Sequence, residues 1–328
     1  MTKSILFWFL ITAMLITVPA VEAQQPGKIF RIGFLDGGTA TGNAVVVEAF
    51  KQAMSQLGWI DGKNITIEYR FAEQKRERVP ELAAELVGLK VDLIVASGTP
   101  PARAVKKATA SIPIVVTNIA DPVGAGLVAS LARPGGNVTG FSSLGSELNT
   151  KRLEILKDAV SKLARVGLLV APSSISVEVP LKELRAAAGA LKLKLEEIET
   201  QADAKGLESA FQTAKQKQVG AILTTGSGPF FAERKRIVEL AGKYRMPAMY
   251  FQKEFVDEGG LMSYGADFND LYRRAAVYVD KILKGAKPGD LPIQQATKFE
   301  FIVNLNAAKQ IGLTIPNRVL ERANQVIK

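Results

Sequence analysis

Ser97-Gly98-Thr99 is the stretch of this chain best suited to hold a small anion. Its glycine lets the backbone approach a ligand closely, and its hydroxyls donate hydrogen bonds. The helix expected to follow presents N–H groups and the positive end of its dipole. The plainer reading is a helix cap, which needs only one of those hydroxyls. Asp36 and Asp121 are the carboxylates at comparable positions, just past strands. Either suits an ammonium group, and together they are candidates for a catalytic pair. Equally, an Asp there caps a turn, and Asp121 stands directly before Pro122. Nothing in the sequence places the two at a productive distance.

The excluded chemistry is broader. There is no His and no Cys in 328 residues. That removes the commonest general base at neutral pH, Ser-His-Asp catalysis, H-E-x-x-H zinc sites, thiolate nucleophiles, disulfides and Cys-ligated metals. No G-x-x-x-x-G-K-[ST] phosphate loop occurs either. Gly124-Ala125-Gly126-Leu127-Val128-Ala129 fits a loose dinucleotide pattern. It lies well past its strand rather than on the first strand-to-helix turn, and reads as a small-residue helix start. The formal charge is +10, yet basic pairs such as Lys106/Lys107 and Arg273/Arg274 are scattered along the chain. Only 7% of residues are aromatic. A solvated basic surface is expected, with no nucleic-acid partner.

The elements that must position these residues alternate regularly. Phe30 to Leu35 reads as a buried strand and Asn43 to Leu57 as a helix with apolar residues at three-to-four spacing. Strand Ile65 to Phe71, helix Val79 to Leu89, strand Leu93 to Ala96, a helix to Ala110, and strands Ile114 to Thr117 and Val138 to Phe141 follow. The rhythm restarts with strand Arg165 to Val170, helix Val177 to Leu191, strand Leu193 to Ile198 and helix Lys205 to Lys217. Strand Ala221 to Thr225, helix Phe230 to Tyr244, strands Ala248 to Phe251 and Leu261 to Tyr264, and helix Asp270 to Leu283 complete it. Strands separated by helices specify parallel sheets covered on both faces. Two runs joined across Ser142–Leu148 predict an α/β protein of two lobes, each a mostly parallel sheet flanked by helices. The last segment, with strand Phe299 to Val303, reads as a return crossing. The expected partition is 28–141 plus about 267–290 for one lobe, and 142–266 plus about 291–328 for the other.

In open parallel sheets, ligands sit beyond the carboxyl ends of the strands. The candidates are then Asp36 and Gly37; Ser97, Gly98 and Thr99; Asn118 and Asp121; and, in the second half, Ser173, Gly226, Ser227 and Tyr250, with Tyr264 nearby. Trp59, Phe71, Tyr250, Phe251 and Tyr264 could stack on a ring-bearing ligand or simply cover core edges.

The first residues carry a separate message. Lys3 precedes an apolar run from Ile5 to Val18, and Val21-Glu22-Ala23 puts small residues at −3 and −1 of a cut after Ala23. This is the layout of a secretory signal (residues 1–23). A membrane anchor needs about 20 apolar residues. With no Cys to carry a lipid, the mature chain is expected free in a periplasm.

The mature chain closely resembles the tryptophan-binding-protein-like family of ABC transporter substrate-binding proteins. The resemblance runs from Arg31-Ile32-Gly33-Phe34-Leu35 to the C-terminus. It rests on Leu57-Gly58-Trp59, Asn64 to Arg70, Pro80 to Val87, Asp121-Pro122-Val123-Gly124, and Ser130 to Gly140. Gly259 to Gly265, Tyr272 to Ala276, Thr297-Lys298-Phe299-Glu300 and Gly312 to Pro316 complete it. The order and coverage of these stretches are what make it specific. It implies a type I periplasmic-binding fold, no catalysis, no cofactor, no metal, and importer permease subunits as partner of a monomer. It further implies ligand contacts from Ser97, Thr99, Asn118 and Asp121 in one lobe and around Ser227, Tyr250 and Tyr264 in the other. Gly226-Ser227-Gly228-Pro229 is unusually small for such a site, and the Asp36-Gly37-Gly38 loop matches no known specificity. The solute is therefore an amino acid or another small polar compound, aromatic or carboxylate. A periplasmic sensor subunit shares all these features, and an exported lyase or hydrolase using Asp121 stays open. A sugar-responsive repressor does not fit, since a helix-turn-helix would replace the leader.

Overall fold

The computed structural model describes residues 28–171, 178–226 and 228–328. The expected leader, Ser173 and Ser227 lie outside the described residues. The first half runs β1 (Phe30–Asp36), α1 (Ala44–Gln56), β2 (Ile65–Phe71), α2 (Val79–Gly88), β3 (Leu93–Ser97), α3 (Thr99–Ala108), β4 (Ile114–Ile119) and β5 (Val138–Ser142). The second runs α4 (Gly145–Ala159), β6 (Arg165–Val170), α5 (Glu178–Ala190), β7 (Lys194–Glu199), α6 (Ala204–Gln216) and β8 (Ala221–Thr224). It continues with α7 (Gly228–Ala232), α8 (Arg234–Lys243), β9 (Ala248–Tyr250), α9 (Glu254–Asp257) and β10 (Met262–Ala266). The chain then returns through α10 (Phe268–Leu283) and β11 (Gln294–Gln295). It ends with β12 (Phe299–Asn304), α11 (Leu305–Gln310), α12 (Asn317–Leu320) and β13 (Gln325–Ile327).

Two sheets result, as the alternation predicts. The first has the order β11-β5-β4-β3-β1-β2 with every pair parallel. The second has the order β13-β12-β10-β9-β8-β6-β7, parallel except where β12 runs against β10. Both faces of each sheet are covered, so the central strands are continuously apolar rather than alternating. β3 is buried at all five positions. α1 shows how the helices attach. Val46, Phe50, Ala53 and Met54 form one stripe against β1 and α10, and its opposite face is solvated. Each large side chain so buried contributes roughly 1.5–3 kcal/mol. Truncating Phe50, fully buried, to Ala is the single change that would loosen this layer most, by about 3–5 kcal/mol. The start of α10 is fixed by Asp267, whose side chain accepts from the Asp270 N–H, and Trp59 donates to Asp280 Oδ1 at 2.8 Å near its far end.

Three crossings link the sheets. The chain leaves the first from the carboxyl end of β5, returns from the carboxyl end of β10, and crosses last between β11 and β12. β11 is parallel to β5, so this exit too is at the carboxyl edge; β12 starts there and must run antiparallel. The carboxyl edges of the two sheets therefore face each other. The crossings are laced side by side: Ala296 N–H donates to Ser142 O at 2.8 Å and Asp267 N–H to Lys298 O at 3.0 Å. Because β11 pairs in the first sheet, the last crossing lies at residues 296–298. No helix among the described residues is long and apolar enough to cross a membrane.

Candidate functional site

The carboxyl edge of the first sheet is a row of polar residues in register. Asp36 pairs with Ser97 across β1 and β3, and Ser97 with Thr117 across β3 and β4. These three follow the apolar sequence Phe34, Val95, Val115 on the same face, so period-two alternation turns them toward α10. There Tyr272 donates its hydroxyl to Ser97 Oγ at 2.6 Å. Asp36 is 7% exposed, and its Oδ1 accepts from Gly38 N–H at 2.6 Å and Asn43 Nδ2 at 2.9 Å. Burial pushes this carboxyl above its ordinary range, against hydrogen bonds from Ser97, Gly38 and Asn43 that pull it down. Burial and the nearby Asp36 likewise raise the Tyr272 phenol, so it stays a neutral donor.

The neighbouring loops are shaped by backbone geometry. Gly37 carries the chain away from Asp36, its carbonyl accepting from Gln74 N–H at 3.0 Å. Gly98 sits at φ +83°, a conformation open to glycine, and its N–H donates to Thr117 O at 3.0 Å. Thr99 then opens α3. Pro100 and Pro101 occupy the next two positions and have no N–H, so the anion-binding capacity expected of this helix start reduces to the Thr99 N–H and hydroxyl. Asn118 is held at φ +55°, where the β4–β5 pairing shifts register. A non-glycine residue in this region is uncommon and, beside a ligand edge, is a functional signal. Asp121 is exposed and its Oδ1 accepts from Val123 N–H at 3.1 Å and Gly124 N–H at 2.9 Å. That is the turn-capping role, which leaves the second oxygen uncommitted.

The second edge brings fewer of the expected residues together. Gly226 is exposed just beyond β8. Tyr264 is half-buried and packs edge-on against Phe301. Tyr250 faces the other way. It is 1% exposed, and its ring stacks on Phe255 at a centroid distance of 4.8 Å within the lobe's core. Its ring is thus a packing element of that core.

What sequence reasoning missed is Arg152. It projects from α4, a helix that was not expected, and is 3% exposed. Its Nε donates to Tyr264 O, Nη1 to Asn149 Oδ1 at 2.7 Å and Nη2 to Phe251 O at 3.4 Å. Phe251 directly follows β9 and Tyr264 is the middle residue of β10, so the guanidinium is pinned across the carboxyl halves of these two strands. Burial lowers its pKa to about 9. The close approach this clamp needs is made by Gly265, where a Cβ would lie 2.2 Å from Phe251 O. The sequence signal was available: Leu148, Arg152 and Leu156 lie on one stripe of α4, with the polar member in the middle.

Among the described residues no cluster of His, Cys, Asp or Glu is placed to hold a metal ion. The family profile described as "ABC transporter substrate binding protein" matches residues 40–327. The chain belongs to this family. Its members are substrate-binding proteins rather than enzymes, and the fold is the type I periplasmic-binding fold. A tyrosine-binding protein from Clostridioides difficile (strain R20291) is 30% identical over 271 residues, covering 81% of this chain and 76% of that protein. A Streptococcus pneumonia ABC domain solved in complex with L-Trp superposes with a TM-score of 0.84 at 26% identity, covering 92% of this chain and all of the other. The ligand-free, open structure of a substrate-binding protein with adhesive properties from Clostridium difficile gives 0.67 at the same 26% identity, over 92% and 99%.

Proposed function

We propose that this family member captures a small polar solute, an amino acid or an aromatic or carboxylate compound, between the facing sheet edges by closing about the three crossings. It then hands the solute to the permease subunits of an ABC importer. The protein acts in the periplasm as a monomer, after removal of a leader ending near Ala23.

The observation that carries this reading is the opposition of the two carboxyl edges. Ser97, Thr99, Asn118 and Asp121 stand on one side, and Gly226 and Tyr264 on the other, joined by crossings short enough to act as a hinge. The higher TM-score against the L-Trp complex than against the open structure, at equal identity, supports a lobe arrangement nearer the closed form. Closure follows only if the solute touches both edges, since a ligand gripping one lobe does not favour either arrangement. Moving such a hinge from almost entirely open to almost entirely closed takes about 5.5 kcal/mol of differential binding. A micromolar solute has about 8 kcal/mol in total, so the requirement is met.

The test is native mass spectrometry of gently purified protein, followed by release and identification of the bound compound. One small solute, recovered chemically unchanged after hours with the protein, is the expected result. Turnover of the compound, or a protein that never retains a solute, would contradict it.

A further inference from the structure

The core of the first lobe extends past the crossings into the second sheet. β10 and β12 pair antiparallel, with Tyr264 opposite Phe301 and Ala266 opposite Phe299. These four side chains therefore share one face of the second sheet. Along that face the surrounding core changes within two residues. Phe301, 2% exposed, and the half-buried Tyr264 belong with Leu153, Leu156 and Val303 in the core of the second lobe. Ala266, 8% exposed, and the half-buried Phe299 pack instead into the cluster that holds Phe34, Phe50 and Tyr272, the core of the first lobe. Phe268, at the start of α10, joins the same cluster. The last pair of the β10–β12 ladder is thus a tongue of the second sheet held by the first lobe. Rotation of the lobes must bend the ladder between its two pairs, before either strand reaches a crossing.

One contact spans that bend. The Tyr264 and Phe299 rings stack with centroids 6.3 Å apart and planes 24° from parallel, as diagonal neighbours on the ladder. Phe299 travels with the first lobe. Tyr264 travels with the second, where Arg152 Nε donates to its carbonyl. Aromatic pairs attract only over a narrow range of separation and tilt. A change of lobe angle takes these two rings out of that range, so the stack is specific to the arrangement seen here.

We infer that Phe299 is a positioning residue, which sets the angle between the lobes by stacking on Tyr264 across the bend of the β10–β12 ladder. This rests on the cleft reading above and deepens it. Tyr264 is a solute contact proposed at the second edge, and Phe299 fixes its ring only while the lobes hold the present arrangement. The pair therefore couples the hinge to the site without itself needing the solute. Its differential contact favours one lobe arrangement over the other, as any such bias must. Stacking of this kind multiplies the population of the stacked arrangement by about 2- to 12-fold.

The test uses the full mature chain with spin labels at Arg76→Cys and Lys235→Cys, exposed on the first and second lobes. Pulsed electron resonance of the solute-free protein reads the populations of short and long lobe separations. Phe299→Leu keeps an apolar side chain against the first lobe's core and removes the ring. It should raise the ratio of long to short separations by about 2- to 12-fold. Tyr264→Leu should raise it by the same factor, and the double variant by no more than either alone. Phe299→Tyr keeps the ring and should return the wild-type ratio. A merely space-filling role would lower the unfolding temperature and leave the ratio unchanged. Where Phe299→Leu does not fold, Tyr264→Leu carries the same prediction, with Tyr264→Phe as the variant that keeps the ring.

The inference is overturned if Phe299→Leu leaves the ratio unchanged or if Phe299→Tyr shifts it equally. It is overturned too if the shifts of the two Leu variants multiply in the double variant. A wild type that responds to the compound recovered with the protein, beside silent variants, would remove this inference alone. A wild type that never responds to that compound would instead remove the cleft reading itself.

Discussion

Tyr272 donates its hydroxyl to Ser97 Oγ across 2.6 Å, tying the helix that follows the second crossing to the third strand of the first lobe. The bond lies beneath the polar row formed by Asp36, Ser97 and Thr117, so the hinge and the ligand edge share one buried network. Tyr272→Phe removes the donor and leaves the ring in place. It should cost about 0.5–1.5 kcal/mol in urea unfolding. Solute affinity should fall as well, because Ser97 is no longer oriented.

Asp36 offers a stability test with a defined sign. Its folded carboxyl titrates above the unfolded one, so its folded state favours the proton. Relative to the unfolded chain, the stability tied to that proton is present below the unfolded pKa and lost as pH rises through the folded pKa. Asp36→Asn removes the buried charge and keeps an acceptor for Gly38 and Asn43. The solute-free variant should therefore be more stable than wild type at pH 7, by roughly 1 kcal/mol or about 2–4 °C in Tm. The gain should shrink toward pH 4. A variant less stable at pH 7 would mean that the charged form is favoured.

Asn118 separates backbone shape from side-chain contact. At φ +55° it occupies a region that glycine enters freely. Asn118→Gly should keep stability within about 1 kcal/mol of wild type while solute affinity drops. Asn118→Val, β-branched, should lose at least ~1–2 kcal/mol. Thermal unfolding and calorimetric titration of the pair distinguish the two contributions.

Gly265→Ala probes the Arg152 clamp from the backbone side. Its added methyl would sit 2.2 Å from Phe251 O, the carbonyl that Arg152 Nη2 holds. The backbone must shift, at a cost of roughly 1–3 kcal/mol. Hydrogen exchange at the ends of β9 and β10 should accelerate, with the first sheet unaffected.

Most of the architecture was legible because both sheets are covered on both faces. Strands such as Leu93–Ser97 then become unbroken apolar runs, and the helices between them carry clear stripes. The same double covering hid which side chains face the cleft. Tyr250 and Tyr264 both stand near strand ends, yet Tyr250 lies in the layer with Phe255 and Tyr264 in the opposite one. A buried strand gives no polar phase from which to choose. α4 was missed for a related reason: Asn149 and Arg152, 6% and 3% exposed, stand where apolar residues would mark a helix. The expected helix from Phe230 to Tyr244 breaks at Glu233, whose backbone leaves the helical region at ψ +17°. Pro100 and Pro101 were in plain view, and their missing N–H groups limit the anion site at Thr99.

The chain contains no cysteine, so two can be introduced as unique spin-label sites. Arg76→Cys and Lys235→Cys place exposed labels on the first and second lobes. Pulsed electron resonance of the doubly labelled protein, with and without the solute recovered from it, reads the gap between lobes directly. Hinged capture requires the distance distribution to narrow and shift several ångströms shorter when solute is present. A distribution unchanged by a solute that demonstrably binds would contradict it.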